Sequence, residues 1–61
     1  MENDAVELIT IEELCEMLQI GRSVAYRLLS SGEIGCFRIN RIWKIPRESV
    51  VKYIKERSRL E

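Results

Sequence analysis

Between Cys36 and Ile45 the chain carries two four-residue runs, Cys36-Phe37-Arg38-Ile39 and Ile42-Trp43-Lys44-Ile45, separated only by Asn40-Arg41. Runs of β-branched and aromatic residues on either side of a short polar pair predict a β-hairpin. Asparagine suits such a turn because it tolerates the positive φ that tight hairpins demand. Pro46 has no N–H to give to a ladder and ends the second run. Along the runs Phe37, Ile39, Trp43 and Ile45 alternate with Arg38 and Lys44, which predicts one face that packs and one that carries positive charge. A chain of this size has only about a dozen well-buried side chains to work with. The two largest apolar ones, Trp43 and Phe37, lie in the hairpin, so it is expected to be needed for stability.

Helical periodicity surrounds the hairpin. Thr10-Ile11-Glu12-Glu13 has the form of a capping box, in which the threonine hydroxyl accepts from the amide three residues on and the glutamate carboxylate reaches back. A first helix is expected to start there. At 100° per residue it buries Ile11, Leu14, Cys15 and Leu18, with Met17 at the edge and Glu12, Glu13 and Glu16 in water. The pattern breaks at Gln19-Ile20-Gly21, with Ile20 turned inward. A second helix restarts near Arg22 behind Gly21, an N-cap without a side chain. Its inward stripe is Ala25, Leu28 and Leu29, which leaves Ser23, Arg27 and Ser30 outward and Arg22 with Tyr26 on one flank. Gly32 suits the left-handed residue that ends it. Arg47-Glu48-Ser49-Val50 opens a last helix whose inward side is Val50, Tyr53, Ile54 and the stem of Arg57. Residues 1 to 9 show no cap or period; the first five are read as frayed, while Val6, Leu8 and Ile9 are expected to cover one edge of the core. The expected fold is α+β in the order helix, helix, β-hairpin, helix, as one domain over residues 1–61 with its core at about 8–57.

Composition narrows the function classes. Sixty-one residues bury only about 60% of their unfolded surface and support one modest core, which excludes a two-domain enzyme. No apolar run approaches the roughly 20 residues of a membrane span, and the acidic start Met1-Glu2-Asn3-Asp4 has the wrong charge for a secretory signal. No membrane association and a cytoplasmic location are therefore expected. There is no histidine, no Gly-x-Gly-x-x-Gly and no Gly-Lys-Ser or Gly-Lys-Thr. Cys15 and Cys36 form neither a Cys-x-x-Cys pair nor a complete zinc set and read as two reduced, partly buried thiols. The acids Glu12, Glu13 and Glu16 read as a solvated, capping face. The chain is expected to be no enzyme and to need no metal or cofactor.

Net charge is zero, but its distribution is not even. Residues 1–19 hold six acids and no base, whereas residues 20–47 hold six bases and one acid. Such polarity matters more to a polyanion than the sum does. Arg22, Ser23, Tyr26 and Arg27 lie at the start and outer side of the second helix, the edge that can enter a major groove. Arginine offers a planar fork to guanine or phosphate, and hydroxyls reach phosphate oxygens. Arg38, Arg41 and Lys44 would stand together on the hairpin arm, with Asn40 and Arg41 at its tip positioned for a minor groove. Other readings stay open. The arginines can be ordinary surface charges, and Tyr26 a half-buried rim residue packed across Arg22. Pairing of Arg22, Arg27 and Arg41 with the acids of the first helix would favour a protein-interaction module that never meets DNA.

Four stretches carry a resemblance: Leu8-Ile9-Thr10-Ile11-Glu12-Glu13-Leu14, Leu18 through Leu29, Gly32-Glu33-Ile34, and Phe37 through Val50. Across residues 8–55, and most specifically in Arg22-Ser23, Tyr26-Arg27 and Trp43-Lys44-Ile45-Pro46-Arg47, the chain resembles the excisionase-like winged helix-turn-helix family of the MerR-like superfamily. That family supplies phage and conjugative-transposon excisionases. Gln19, Gly21 and Asn40 stand where many members carry glycine, serine and glycine. The resemblance implies that the second helix is the recognition helix and the hairpin the wing. Arg22, Ser23, Tyr26 and Arg27 would then make the major-groove and backbone contacts, and Arg38, Asn40, Arg41 and Lys44 the wing contacts, with Trp43, Ile45 and Pro46 as scaffold. The implied function is sequence-specific binding and bending of double-stranded DNA as an excisionase, a recombination directionality factor. It would assist a tyrosine integrase and bind as further copies on tandem sites. The alternative within the same resemblance is a small transcriptional regulator.

Overall fold

The computed structural model describes residues 6–58; the five residues read as frayed lie outside the described residues. In chain order the elements are β1 (Leu8–Ile9), α1 (Ile11–Leu18), α2 (Arg22–Ser30), β2 (Phe37–Ile39), β3 (Ile42–Pro46) and α3 (Arg47–Ser58). This is an α+β winged helix-turn-helix.

The capping box is formed as its sequence predicts. The Glu13 amide donates to Thr10 Oγ1 at 3.1 Å, and the Thr10 amide donates to Glu13 Oε1 at 2.9 Å. Gln19 then ends α1 in the left-handed region at φ 57°, and the Ile20 amide closes onto the Cys15 carbonyl at 3.0 Å. Gly21 is the N-cap of α2 with no side-chain bond to its first turn. The two helices are thus joined by Gln19, Ile20 and Gly21 alone. Gly32, at φ 82°, follows the end of α2, and the Glu33 amide turns back to the Leu28 carbonyl at 3.2 Å. A side chain at position 32 would meet the steric penalty of the left-handed region, which glycine escapes.

The three strands form an antiparallel sheet in the order β1-β3-β2. β1 was not foreseen as a strand; it pairs Leu8 with Pro46 and Ile9 with Ile45, and the Arg47 amide donates to the Glu7 carbonyl at 2.8 Å. Ile9 is buried, whereas Val6 and Leu8, expected beside it over the core edge, are exposed.

The hairpin corrects a second expectation. Its register is Phe37↔Lys44, Arg38↔Trp43 and Ile39↔Ile42. Directly opposed residues of an antiparallel pair lie on one face, so the Asn40-Arg41 turn reverses the parity of the alternation. Trp43 and Ile45 share their face with Arg38, and Phe37 and Ile39 share theirs with Ile42 and Lys44. The single packing face of Phe37, Ile39, Trp43 and Ile45 therefore does not exist. Ile45 is fully buried and Trp43 half-buried, while Phe37, Ile39 and Ile42 are 46%, 51% and 59% exposed.

The core is Ile9, Leu14, Ala25, Leu28, Leu29, Ile34, Ile45 and Val50, edged by Ile11, Cys15, Leu18, Ile20, Trp43 and Tyr53 among others. α3 reaches it through Val50. Ile54, expected inward, is 36% exposed. Arg57 instead ties the helix down at the surface: its guanidinium lies 5.2 Å from the Tyr53 ring centroid and donates to Glu33, which also accepts from Ser31 Oγ at 3.2 Å.

Candidate nucleic-acid interface

The site is built on two rigid supports, the outward face of α2 and the wing. Burial of Ala25, Leu28 and Leu29 fixes the roll of α2, so that Ser23, Tyr26, Arg27 and Ser30 face solvent. Pairing of β3 with both of its neighbours fixes the wing. Between them lies a groove of about 360 Å³ lined by Tyr26 of α2, by the segment Leu8–Glu12, and by Arg41, Ile42, Trp43 and Lys44.

The structure brings part of the expected set together. Tyr26, Arg41 and Lys44 share the groove. Arg22 lies at its α1 side, where its Nη2 donates to Glu12 Oε2 at 2.7 Å. Ser23 and Arg27 are exposed on α2. Arg38 does not stand with Lys44 as expected. It lies on the opposite face of the hairpin, with its guanidinium 4.9 Å from the Trp43 ring centroid, and this contact holds Trp43 against the core while leaving the charge in water. Asn40 and Arg41 form the wing tip at φ 51° and 68°, the signature of a type I′ turn. Asparagine was expected there; arginine in a left-handed conformation was not.

Of the three arginines whose pairing with α1 would favour a protein-interaction module, Arg22 is paired with Glu12. Arg27 and Arg41 take part in no ion pair among the described residues. Glu12 itself was read only as a solvated acid. Its signal lay in the fold: ten positions separate it from Arg22, and only the helix-turn-helix closes that gap.

The thiols are free and half-buried, as expected. The Cys36 thiol donates weakly to the Leu29 carbonyl at 3.7 Å. Desolvation by burial pushes its pKa up, against a lowering by Arg38, the direction that makes a thiol a poorer nucleophile.

A short helix with an open polar face, a three-residue turn before it and a hairpin with a cationic tip after it have the arrangement of a winged helix-turn-helix module. Residues 8–58 match the helix-turn-helix domain family. The chain belongs to this helix-turn-helix family. The match runs from the first residue of β1 to the last of α3, so the wing and its supporting helix fall inside it along with α1 and α2. A curated relative, named "Probable excisionase", from Saccharopolyspora erythraea, is 44% identical over 46 residues. The alignment covers 75% of this chain and 47% of the relative, so the chain spans about half the length of the curated relative it matches. No solved structure matches. Helix-turn-helix modules of this kind bind DNA and carry no catalytic machinery of their own, and none of the described helices is long and apolar enough to cross a membrane.

Proposed function

We propose that the chain, residues 1–61, acts as one winged-helix domain that binds and bends DNA as an excisionase. In this role it assists a tyrosine integrase in excising a mobile element from cytoplasmic DNA. The observation that carries the reading is the groove joining Tyr26 of α2 to Arg41 and Lys44 of the wing, together with the likeness to a probable excisionase. In it α2 enters the major groove, with Arg22, Ser23 and Arg27 at its edge. The wing tip, Asn40 and Arg41, follows the neighbouring minor groove, where focused negative potential favours arginine. Lys44 meets the backbone between them. Arg38, on the far face of the hairpin, contributes through Trp43 more than through DNA.

A module of this size buries about 600–1,000 Å² on DNA, which limits the affinity of one copy. Copies on tandem sites, or a tethered recombinase, raise occupancy through effective concentration. Their small bends add up at an elastic cost of order 1–6 kcal/mol. The mixed-sign surface of Lys52, Lys55 and Glu56 on α3, exposed in each case, is the side left for protein contact. Removing residues from 56 onward would also delete Arg57 and its tie to Glu33, so the charge reversals Lys52→Glu and Lys55→Glu test this surface more cleanly. They are expected to impair excision while leaving DNA affinity within about threefold, since both lie away from the groove.

Circular-permutation gel shifts on DNA bearing the end of the element test the architectural part. Mobility that varies with the position of the site, in complexes holding several copies, is the expected result. An unbent complex containing one symmetric dimer would overturn the reading in favour of a transcriptional regulator.

A further inference from the structure

We infer that Glu12 is a positioning residue for DNA recognition: its carboxylate, reaching across from α1, aims the guanidinium of Arg22 at a base edge. The inference rests on the DNA-binding reading above and adds to it a residue outside both α2 and the wing. An acid on the rim of a cationic groove is unfavourable for a polyanion-binding surface, because it repels every phosphate that approaches. Glu12 nevertheless lines that groove with Tyr26, Arg41 and Lys44.

Stability does not explain its presence. The Arg22 and Glu12 side chains are 62% and 60% exposed, and exposed ion pairs contribute little. Capping of α1 is already done by Thr10 and Glu13. What the pair does accomplish is geometric. Arg22 is the first residue of α2, where a long side chain on an exposed helix end has many rotamers to lose on binding. The bond from Nη2 to Glu12 fixes one of them in the free protein. A guanidinium has five N–H donors in a rigid fork, and one is engaged here, which leaves enough for a two-pronged contact with guanine O6 and N7. Preorganisation of this kind aids the correct site more than random DNA, since only the correct site uses the fixed geometry. The repulsive charge weakens binding to all sequences. That penalty is common to every sequence and cancels from their ratio, so the gain in discrimination comes from the fixed geometry.

The two effects separate in two variants. Glu12→Gln keeps an acceptor oxygen at the same reach and removes the charge; Glu12→Ala removes both. Each is used for selection from a pool of duplexes with a randomised core, then titrated on the duplex that wild type enriches and on a scrambled one. Circular dichroism verifies that each variant is folded. Both variants are expected to bind the scrambled duplex more tightly than wild type. Glu12→Ala loses its preference at one base pair by up to about fivefold, the limit set by an exposed ion pair, while Glu12→Gln retains it to within about twofold. In an Arg22→Ala background, where that preference is already absent, Glu12→Ala produces no further loss. Equal selectivity of Glu12→Ala and Glu12→Gln, or a loss from Glu12→Ala that persists without Arg22, would overturn the role assigned to Glu12 while leaving DNA binding intact. A wild-type protein that enriches no sequence from the pool would overturn the DNA-binding reading itself, and this inference with it.

Discussion

Arg41 is held at φ 68° at the tip of the wing, where an L side chain costs roughly 1–2 kcal/mol relative to the ordinary basins. Asn-Gly is the preferred pair for a type I′ turn, so Arg41→Gly removes that penalty without altering the Ile39↔Ile42 closure. Glycine gives back about 0.5–1 kcal/mol through the greater freedom of the unfolded chain. The net gain is about 0.5–1 kcal/mol, which for a domain of this length raises Tm by roughly 4–8 °C. Arg41→Ala keeps a Cβ and therefore keeps the strain, and its stability is expected within about 0.5 kcal/mol of wild type. On DNA the two variants should agree, because both remove the same charge. Each lowers the slope of log affinity against log salt by about 0.9. Thermal unfolding followed by circular dichroism, with fluorescence anisotropy on labelled DNA, measures both quantities. Destabilisation by Arg41→Gly, or DNA binding that survives either substitution unchanged, would refute the view that the wing tip sacrifices stability to place a cation.

On the outer face of α2, Arg27→Ala is expected to cost about 1–3 kcal/mol on the specific site and to relax preference at one base pair; equal loss on specific and random DNA would assign Arg27 to phosphate. Among apolar positions, Leu14→Ala removes a fully buried side chain and should cost about 2–5 kcal/mol, enough to unfold much of so small a domain. Phe37→Ala, on the face of the hairpin that carries Lys44 and 46% exposed, should cost roughly 1 kcal/mol or less. Urea denaturation of the two variants makes the comparison, and a Phe37→Ala loss as large as that of Leu14→Ala would contradict the register Phe37↔Lys44.

What could be read from the sequence was local. The capping box needs only Thr10 and Glu13, three residues apart, and the left-handed Gly32 needs only its own lack of a side chain. The helix stripes of α1 and α2 follow from periodicity within a few turns. Failures came where a property depends on residues far apart. β1 is two residues long and exists through its bonds to β3, which no feature near Leu8 announces. Ile34 is almost fully buried yet sits in a connection without any period, so nothing in its neighbourhood marks it as core. Simple alternation put Phe37 and Ile39 with Trp43 and Ile45, although a two-residue turn makes same-face partners sum to an odd number, as 39 and 42 do. Counting across the turn would have corrected this and would have placed Arg38 beside Trp43. The cationic set was legible as types and positions. Its division into a groove group, Tyr26, Arg41 and Lys44, and an outlier, Arg38, needed the register, and the tether from Glu12 to Arg22 needed the helix-turn-helix closed.

The claim on which the rest depends is that a chain of zero net charge presents one localised cationic face to DNA. Arg22, Arg27, Arg41 and Lys44 are the four basic residues placed on α2 and the groove side of the wing. Affinity for a duplex, measured by anisotropy between about 50 and 300 mM salt, spans the range over which counterion release dominates. With Arg22 and Arg27 on base edges, phosphate contacts by Arg41 and Lys44 predict a slope of about −2 in log affinity against log salt, reduced by about one unit in Arg41→Ala. A slope near zero, or one that Arg41→Ala leaves untouched, would contradict it.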